Sequence, residues 1–392
     1  MTGEDNHLER ARTLHVLTIT PFYPKAGNES SGCFVAEPIA ELVKIGMQSS
    51  VFAVEPFYRP QSTKTILAPD AQWYRYPSFP GGVGLASAGV GLFTRLRSPV
   101  ARLHARHPID VVHAHGALPC GHAAELLSRR LKIPFVITVH GLDAFSTRQI
   151  PGKSGDACAR VSRRVYAAAR RVLGVSQHVC DEVRGGMREP VALAVVYNGA
   201  DPTQFAPGEE PAQPVLLTVG NLIPTKGHEL MVRALAALRP EFPTLTWDVI
   251  GDGPELSHLR ALAASLDVLN CIQFRGRQNR AVVAEACRNC TLFVLPSGYE
   301  GLGCVYLEAM ASEKVSIGCS GQGIDEVIRH GENGWLVRPE HLDQLTEGLR
   351  DLLRHESRRR EIGLAARHTI LQSFTLAHQA RALLAAYAES VR

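Results

Sequence analysis

Two glutamates with seven residues between them, Glu300 and Glu308, stand in the stretch SGYEGLGCVYLEAMASEKVSIGCSGQGIDEVIRHGENGWLVRP, which runs from Ser297 to Pro339. A strand-like run, Leu292 to Leu295, ends at Pro296, and Gly301-Leu302-Gly303 then leads into a helical pattern through Ala311. A glycine-rich turn at a helix start leaves backbone N–H groups unpaired beside the positive end of the helix dipole, which suits an anion such as a diphosphate. The spacing puts Glu300 at the mouth of that turn and Glu308 two turns inside. Two carboxylates so placed accept hydrogen bonds from two sets of hydroxyls. The same spacing equally fits Glu300 as a helix cap and Glu308 as an exposed helix glutamate.

Three further clusters follow strand-like runs. In Val219-Gly220-Asn221-Leu222-Ile223-Pro224-Thr225-Lys226-Gly227-His228 a lysine opens a helix and can meet phosphate as a point charge. The spacing is not that of a P-loop, and a plain surface lysine is the alternative. Thr138-Val139-His140-Gly141-Leu142-Asp143 ends a second strand, and Asn28-Glu29-Ser30-Ser31-Gly32 is a polar turn after the first. His113 and His115 share one strand face in an H-x-H pattern, but no third histidine or carboxylate accompanies them in sequence, which argues against zinc. There is no D-x-D. A Mg²⁺-held sugar diphosphate needs hard oxygen ligands close together, so Lys226 and a helix N-terminus are expected to neutralise the diphosphate without a metal.

The elements that must position these residues alternate. Strand-like runs at Leu14–Ile19, Ser50–Val54, Asp110–Ala114, Pro134–Val139 and Arg171–Val175 are separated by helical patterns, the first at Phe34–Ile45. Short apolar runs without polar alternation predict a parallel sheet covered on both faces. The pattern restarts after DPTQFAPGEEPAQP, residues 201–214, which reads as a linker. Runs at Val215–Val219, Thr246–Ile250, Cys271–Phe274, Thr291–Leu295 and Val315–Gly318 follow, and the last fifty or so residues read as helical. The expectation is an α/β chain of two Rossmann-like domains, residues 1–200 and 201–375, each able to hold its own core. Ligands in such sheets bind beyond the carboxyl ends of the strands, so a cleft between the domains is the natural site. Residues 55–108 are the least regular. Gly81 to Phe93 is apolar and precedes Arg95, Arg97, Arg102 and Arg106, which fits either an interfacial membrane segment or a loop followed by a surface helix.

Composition excludes several classes. Of 392 residues, 45% are hydrophobic and 20% charged, which is ordinary for a globular chain. No run approaches the roughly 20 apolar residues that span a bilayer. The opening MTGEDNHLERAR has no apolar core of a secretory signal, so a cytoplasmic location is expected. Nine scattered cysteines fit reduced, buried thiols rather than a disulfide framework, and Cys287-x-x-Cys290 lacks two further zinc ligands nearby. Residues 1–200 carry 23 basic against 15 acidic side chains, and residues 201–392 carry 19 against 23. The basic half favours an anionic partner, or its arginines solvate helix faces. Only 6% of residues are aromatic and no basic–aromatic array is present, so nucleic acid is not expected as a partner.

Taken together these motifs resemble family 4 glycosyltransferases of the GT-B fold, of the bacterial surface-polysaccharide type. The resemblance rests on Glu300-x7-Glu308, LEAMA at 307–311, KG at 226–227, YNGAD-x-x-x-F at 197–205, TVHGLD at 138–143, GVS at 174–176, G-x-x-GWLV-x-P at 331–339 and the opening TPFYP at 20–24. They span nearly the whole chain in order. The resemblance implies two facing Rossmann-like domains, with the C-terminal helix near 376–392 returning to the first, and a retaining transfer of a sugar from a UDP- or GDP-sugar to a hydroxyl acceptor. It implies Lys226 and the amides near Leu302 and Gly303 on the diphosphate, Glu308 on the ribose, Glu300 on the donor sugar, His140 touching that sugar, Gly32 letting its loop approach the diphosphate, and Gly276 and Arg277 gripping the base. Many members carry arginine where this chain has Asn221, so Arg277 or another basic residue is expected to supply that charge. Ser320-Gly321-Gln322-Gly323 also departs from the commoner adjacent glycines. The acceptor implied is a glycan, a lipid-linked glycan or a small molecule, with peripheral contact at the inner membrane face if it is lipid-linked. Alternatives are a nucleotide-sugar epimerase or hydrolase of the same fold, or an inactive nucleotide-sugar-binding protein.

Overall fold

The computed structural model describes residues 13–25, 30–59, 71–147 and 149–391. Asn28 and Glu29 of the polar turn, and the N-terminal stretch read for a signal, lie outside them. The chain forms two compact units: residues 1–197 with 376–392, and residues 198–375.

The first unit is built on seven parallel strands: β1 (His15–Thr20), β2 (Gln48–Pro56), β3 (Ala71–Tyr76), β4 (Val111–His115), β5 (Phe135–Val139), β6 (Arg171–Gly174) and β7 (Leu193–Val195). Their order is β3-β2-β1-β4-β5-β6-β7. Every residue of β1, β4 and β5 is buried, as expected for central parallel strands covered on both faces. The helices are α1 (Cys33–Lys44), α2 (Leu85–Arg106), α3 (His122–Leu131), α4 (Gly152–Ala168), α5 (Gln177–Gly186) and, after the whole second unit, a C-terminal helix (Leu376–Ser390). That last helix adds Leu383, Leu384 and Tyr387 to a core containing Val16, Leu42, Val111 and Val136. The sequence passes over β3 and β7. Both are edge strands, part-exposed along most of their length, so neither shows a continuous apolar run.

Among the described residues, the irregular region holds β3 and α2. From Leu85 the apolar run belongs to α2, whose Ala88, Gly89, Leu92, Leu96 and Val100 are buried. This face packs into the fold, so the run leaves only its other residues exposed. Phe79, Val83 and Val90 remain 71%, 60% and 47% exposed. Arg95, Arg102 and Arg106 recur at i, i+7 and i+11 and so share one side of the helix, whereas Arg97 lies well round from them.

The second unit has six parallel strands: β8 (Val215–Val219), β9 (Thr246–Ile250), β10 (Ile272–Gly276), β11 (Leu292–Val294), β12 (Val315–Cys319) and β13 (Trp335–Val337), in the order β10-β9-β8-β11-β12-β13. The helices around it are α6 (His228–Leu238), α7 (Leu256–Ser265), α8 (Arg280–Asn289), α9 (Cys304–Ala311), α10 (Leu342–Arg354) and α11 (Glu356–Ser373), which makes the C-terminal helix of the first unit α12. Trp247 is fully buried, and its indole N–H donates to Thr218 Oγ1 at 2.9 Å, so the large side chain brings no unpaired donor into the core. Residues 201–214 are not a loose linker. Phe205 is fully buried, Lys314 Nζ donates to the Gly208 carbonyl at 3.3 Å, and Arg359 pairs with Glu210 at 2.6 Å.

Both sheets are doubly wound. Strand order reverses between β1 and β4 in one and between β8 and β11 in the other. Such a reversal opens a crevice at the carboxyl ends of the two strands. The loops leaving β1, β4, β8 and β11 are therefore where side chains can meet a ligand.

Candidate active site

In the second unit, the loop after β8 carries Asn221 and a short turn, Pro224–Lys226, and the loop after β11 carries Glu300. The two loops are stitched together: Gly298 N–H donates to the Thr225 carbonyl at 2.8 Å. At Gly227 the backbone is left-handed, φ 71°, and a Cβ there would lie 2.2 Å from the Pro296 carbonyl oxygen. Only glycine lets the loops close this far. The closure brings Lys226 Nζ onto Glu300 Oε2 as an ion pair, although the residues are 74 apart in sequence. Glu300 is also held through its backbone. Its N–H donates to Gln322 Oε1 at 3.1 Å, and its carbonyl accepts from Gly323 N–H at 3.0 Å. Glu300 thus does not cap α9, whose N-cap is Gly303.

Glu308 is not an exposed helix glutamate: it is 1% exposed. Its Oε1 accepts from Arg280 at 2.7 Å, while Oε2 is buried and without a hydrogen-bond partner. Arg280 opens α8 just after Asn279, whose side chain caps the helix by accepting from Val282 N–H at 3.0 Å. The Arg280 guanidinium lies 4.8 Å from the centre of the Phe205 ring, so the buried pair is roofed by an aromatic face. At the start of α9 the Leu302 carbonyl accepts from Asn198 Nδ2 at 3.0 Å. Among the described residues the N–H groups of Leu302 and Gly303 find no acceptor. These are open donors at the positive end of a helix.

The remaining residues singled out in this unit are less tightly built in. Asn221 is exposed and its side chain makes no hydrogen bond among the described residues. Gly276 ends β10 in a left-handed conformation, φ 65°, with open space where a Cβ would point. Arg277 is half exposed, its Nε 4.0 Å from Asp252. The basic group paired with Glu308 is Arg280, which is far more buried than Arg277. Its residue type gives no hint of this in sequence, because an arginine at a helix start ordinarily reads as solvated.

In the first unit, β4 and β5 pair in parallel with His115 opposite Thr138. His113 and His115 therefore share a face beside His140, which follows β5. His113 Nδ1 hydrogen-bonds Tyr387 of α12 at 2.7 Å, and its Nε2 bonds Thr138 Oγ1 at 2.7 Å. His115 Nδ1 lies 2.9 Å from His140 Nε2, and the two rings are nearly parallel, 13° apart, with centroids 5.2 Å apart. Burial pushes the pKa of His113 down to about 3 and that of His140 down to about 4, and holds His115 well below the ordinary histidine value. All three are neutral at pH 7. The H-x-H pattern is thus part of a column of neutral imidazoles, His113 packed on His115 and His115 hydrogen-bonded to His140. Among the described residues no three His, Cys, Asp or Glu side chains converge as metal ligands. Phe22 and Phe34 meet the His140 ring edge-on, at 5.5 and 4.9 Å. The His140 N–H donates to Asp143 Oδ1 at 2.8 Å, and burial raises the Asp143 carboxyl to about 6. Gly32 caps α1 at φ 82°, and a Cβ there would lie 2.5 Å from the Tyr23 nitrogen. Its glycine is needed for that backbone contact whatever else it does.

The chain matches two family profiles in succession, Glycosyltransferase Family 4 over residues 34–204 and Glycosyl transferases group 1 over residues 201–369. It is 30% identical to the D-inositol 3-phosphate glycosyltransferase of Nocardia farcinica over 308 residues, which cover 72% of this chain and 67% of that one. The chain is a family 4 glycosyltransferase. This glycosyltransferase is also 26% identical to the alpha-maltose-1-phosphate synthase of Mycolicibacterium smegmatis, over 95% of its own length and 99% of the relative's. Its fold is that of solved GT-B enzymes. Sucrose-phosphate synthase from Thermosynechococcus elongatus superimposes with a TM-score of 0.77 at 18% identity, covering 95% of this chain and 98% of that one. HepE from Anabaena, solved with UDP and glucose, gives 0.74 at 19% identity over 95% and 99%.

Proposed function

We propose that this glycosyltransferase moves a hexosyl group from a nucleoside-diphosphate sugar to a hydroxyl acceptor, with retention of anomeric configuration and without a metal. The observation that carries the reading is the gathering of Lys226, Glu300 and the open N–H groups of Leu302 and Gly303 at the carboxyl ends of β8 and β11. A cation and a helix N-terminus there suit a diphosphate. The unpartnered Glu308 Oε2 suits ribose hydroxyls. Glu300 meets the donor sugar, Gly276 and Arg277 the base, and His140 touches the sugar. Gly32 keeps its turn close enough to serve the diphosphate. With Asn221 neutral, Lys226 is the cation of the phosphate site.

In the reaction, the bond from the anomeric carbon to the diphosphate oxygen breaks and the acceptor oxygen bonds on the same face. The acceptor's proton passes to the departing diphosphate. The protein supplies position and charge stabilisation rather than a nucleophile. HepE's complex with UDP and glucose, and a GDP-mannose-dependent mannosyltransferase of Mycolicibacterium smegmatis, 28% identical over 71% of this chain, support UDP- and GDP-sugars as donors to try first. For the acceptor we propose a glycan or lipid-linked hydroxyl, reached by peripheral contact through the exposed Phe79, Val83 and Arg95, Arg102 and Arg106. Among the described residues no helix is long and apolar enough to cross a membrane.

The test is a thermal-shift screen of UDP, GDP and ADP and their glucose and mannose conjugates, with and without EDTA. Proton NMR of the product then reads its anomeric configuration. One nucleotide diphosphate should stabilise the protein equally in EDTA, and the product should keep the donor's configuration. Inversion, an absolute need for a divalent ion, or release of free sugar in place of transfer would overturn the corresponding part.

A further inference from the structure

The column His113–His115–His140 contains more order than a packed core requires. Both nitrogens of His113 are taken by hydroxyls, Tyr387 on one side and Thr138 on the other, so His113 packs against His115 at 4.4 Å without competing for its nitrogens. His115 and His140 then share one hydrogen bond between two neutral rings. Each neutral imidazole carries one proton, so the bond couples their tautomers: whichever ring donates fixes where the other holds its proton. Free imidazole side chains favour the proton on Nε2. If His140 Nε2–H donates to His115 Nδ1, both rings hold that favoured form at once; the reverse arrangement forces both out of it. His140 Nδ1 is then left unprotonated, and among the described residues it makes no hydrogen bond.

We propose that His115 is a positioning residue that holds the proton of the His140 ring on Nε2 and leaves Nδ1 bare, so that His140 acts toward the sugar as an acceptor of a hydroxyl proton. The inference rests on the proposed contact of His140 with the donor sugar. It adds which atom makes the contact, with what polarity, and which residue sets it. His140 is fixed in this orientation from three sides, by His115 at Nε2, by Asp143 Oδ1 at the backbone N–H, and by the edges of Phe22 and Phe34 against the ring. A cationic or Nδ1-protonated ring would turn a donor toward the sugar instead and reject the hydroxyl proton.

The experiment is nitrogen NMR of the full chain with ¹⁵N-labelled histidine, the His140 signals assigned by their loss in His140→Asn. At pH 7 the wild type should show a proton-free His140 Nδ1 and a protonated Nε2. A protonated Nδ1 overturns the proposal, and this reading needs no variant and no donor. His115→Asn keeps an acceptor where Nδ1 stood, whereas His115→Phe removes it. Loss of one neutral hydrogen bond predicts that His115→Phe releases UDP from UDP-glucose, or GDP from GDP-mannose, with kcat/KM lower by roughly two- to tenfold. His115→Asn should restore most of that, with the His140 tautomer mixed only in the Phe variant. If His140→Asn turns over at the wild-type rate, the sugar contact itself is lost as a reading. If His140→Asn is slow but His115→Phe is as fast as wild type with the His140 tautomer unchanged, the contact stands and the role of His115 falls.

Discussion

Arg280 carries a buried charge in the second unit, and its pairing there sets its energetic cost. Its side chain is 12% exposed and that of its partner Glu308 only 2%. Among the described residues Glu308 has no other side-chain partner, because Oε2 is unpaired. An exposed ion pair is worth about 0–1 kcal/mol, since water screens it. Breaking a buried pair from one side costs about 3–5 kcal/mol, because the remaining charge is stranded out of water. Arg280→Met keeps most of the aliphatic bulk beside Phe205 but removes the cation, so the cost should fall in the buried range. Glu308→Gln in the same chain removes the stranded charge and should recover most of the loss. The assay is urea unfolding followed by fluorescence of the fully buried Trp247, in a Trp73→Phe background so that the remaining tryptophans both report the second unit. The four chains of the cycle give the coupling directly. A cost below about 1 kcal/mol for Arg280→Met, the exposed-pair range, would refute the reasoning. So would failure of Glu308→Gln to rescue it.

Other outcomes follow from the same geometry. Lys226→Ala and Glu308→Ala should each weaken binding of the stabilising nucleotide sugar roughly ten- to hundredfold by calorimetry, the loss of a charge-assisted hydrogen bond of about 1.5–3 kcal/mol; unchanged affinity in both would reject the donor assignment. Gly227→Ala should destabilise the second unit by at least about 1–2 kcal/mol, because alanine is strained at φ 71° and its Cβ would meet Pro296; an unchanged urea midpoint would contradict this. The chain should float with anionic vesicles at low salt and detach at high salt, each arginine near the surface contributing about 1 kcal/mol, and Arg95→Glu with Arg102→Glu should abolish flotation. His140 is held down to about 4 from the ordinary 6.5, so the unfolded chain binds the extra proton between those values. Its contribution is complete above about pH 6.5 and lost as pH falls through about 4. Asp143 works in the opposite sense. Its carboxyl is raised to about 6 from 3.8, so its contribution is complete below about 3.8 and is lost as pH rises through about 6. Melting temperatures across pH 4–7 should therefore show Asp143→Asn gaining on the wild type as pH rises through about 6.

Much of the fold is legible in the chain because central parallel strands must be apolar on both faces. His15–Thr20, Phe135–Val139 and Val215–Val219 therefore stand out as short unbroken runs between helices. The edge strands Ala71–Tyr76 and Leu193–Val195 do not, because one flank meets solvent and their composition is mixed. Glu300, Glu308 and Lys226 are legible as candidates from their order along the chain and their places beside glycine turns. Their environments are not. Spacing leaves Glu308 equally an exposed helix glutamate, and only the packing of α8 and Phe205 buries it against Arg280. Residues 201–214 look like a linker because proline and acidic residues dominate, yet Phe205 and Glu210 tie them to the second unit. His113 and His115 show a shared strand face in sequence. That they form a neutral column with His140 and Tyr387 depends on a neighbouring strand 25 residues away and a helix 274 residues away. Local sequence determines which residues sit at strand ends, through periodicity and turn chemistry. Whether a charge there is paired, stranded or neutral depends on partners brought close only by packing, and burial then sets its energy.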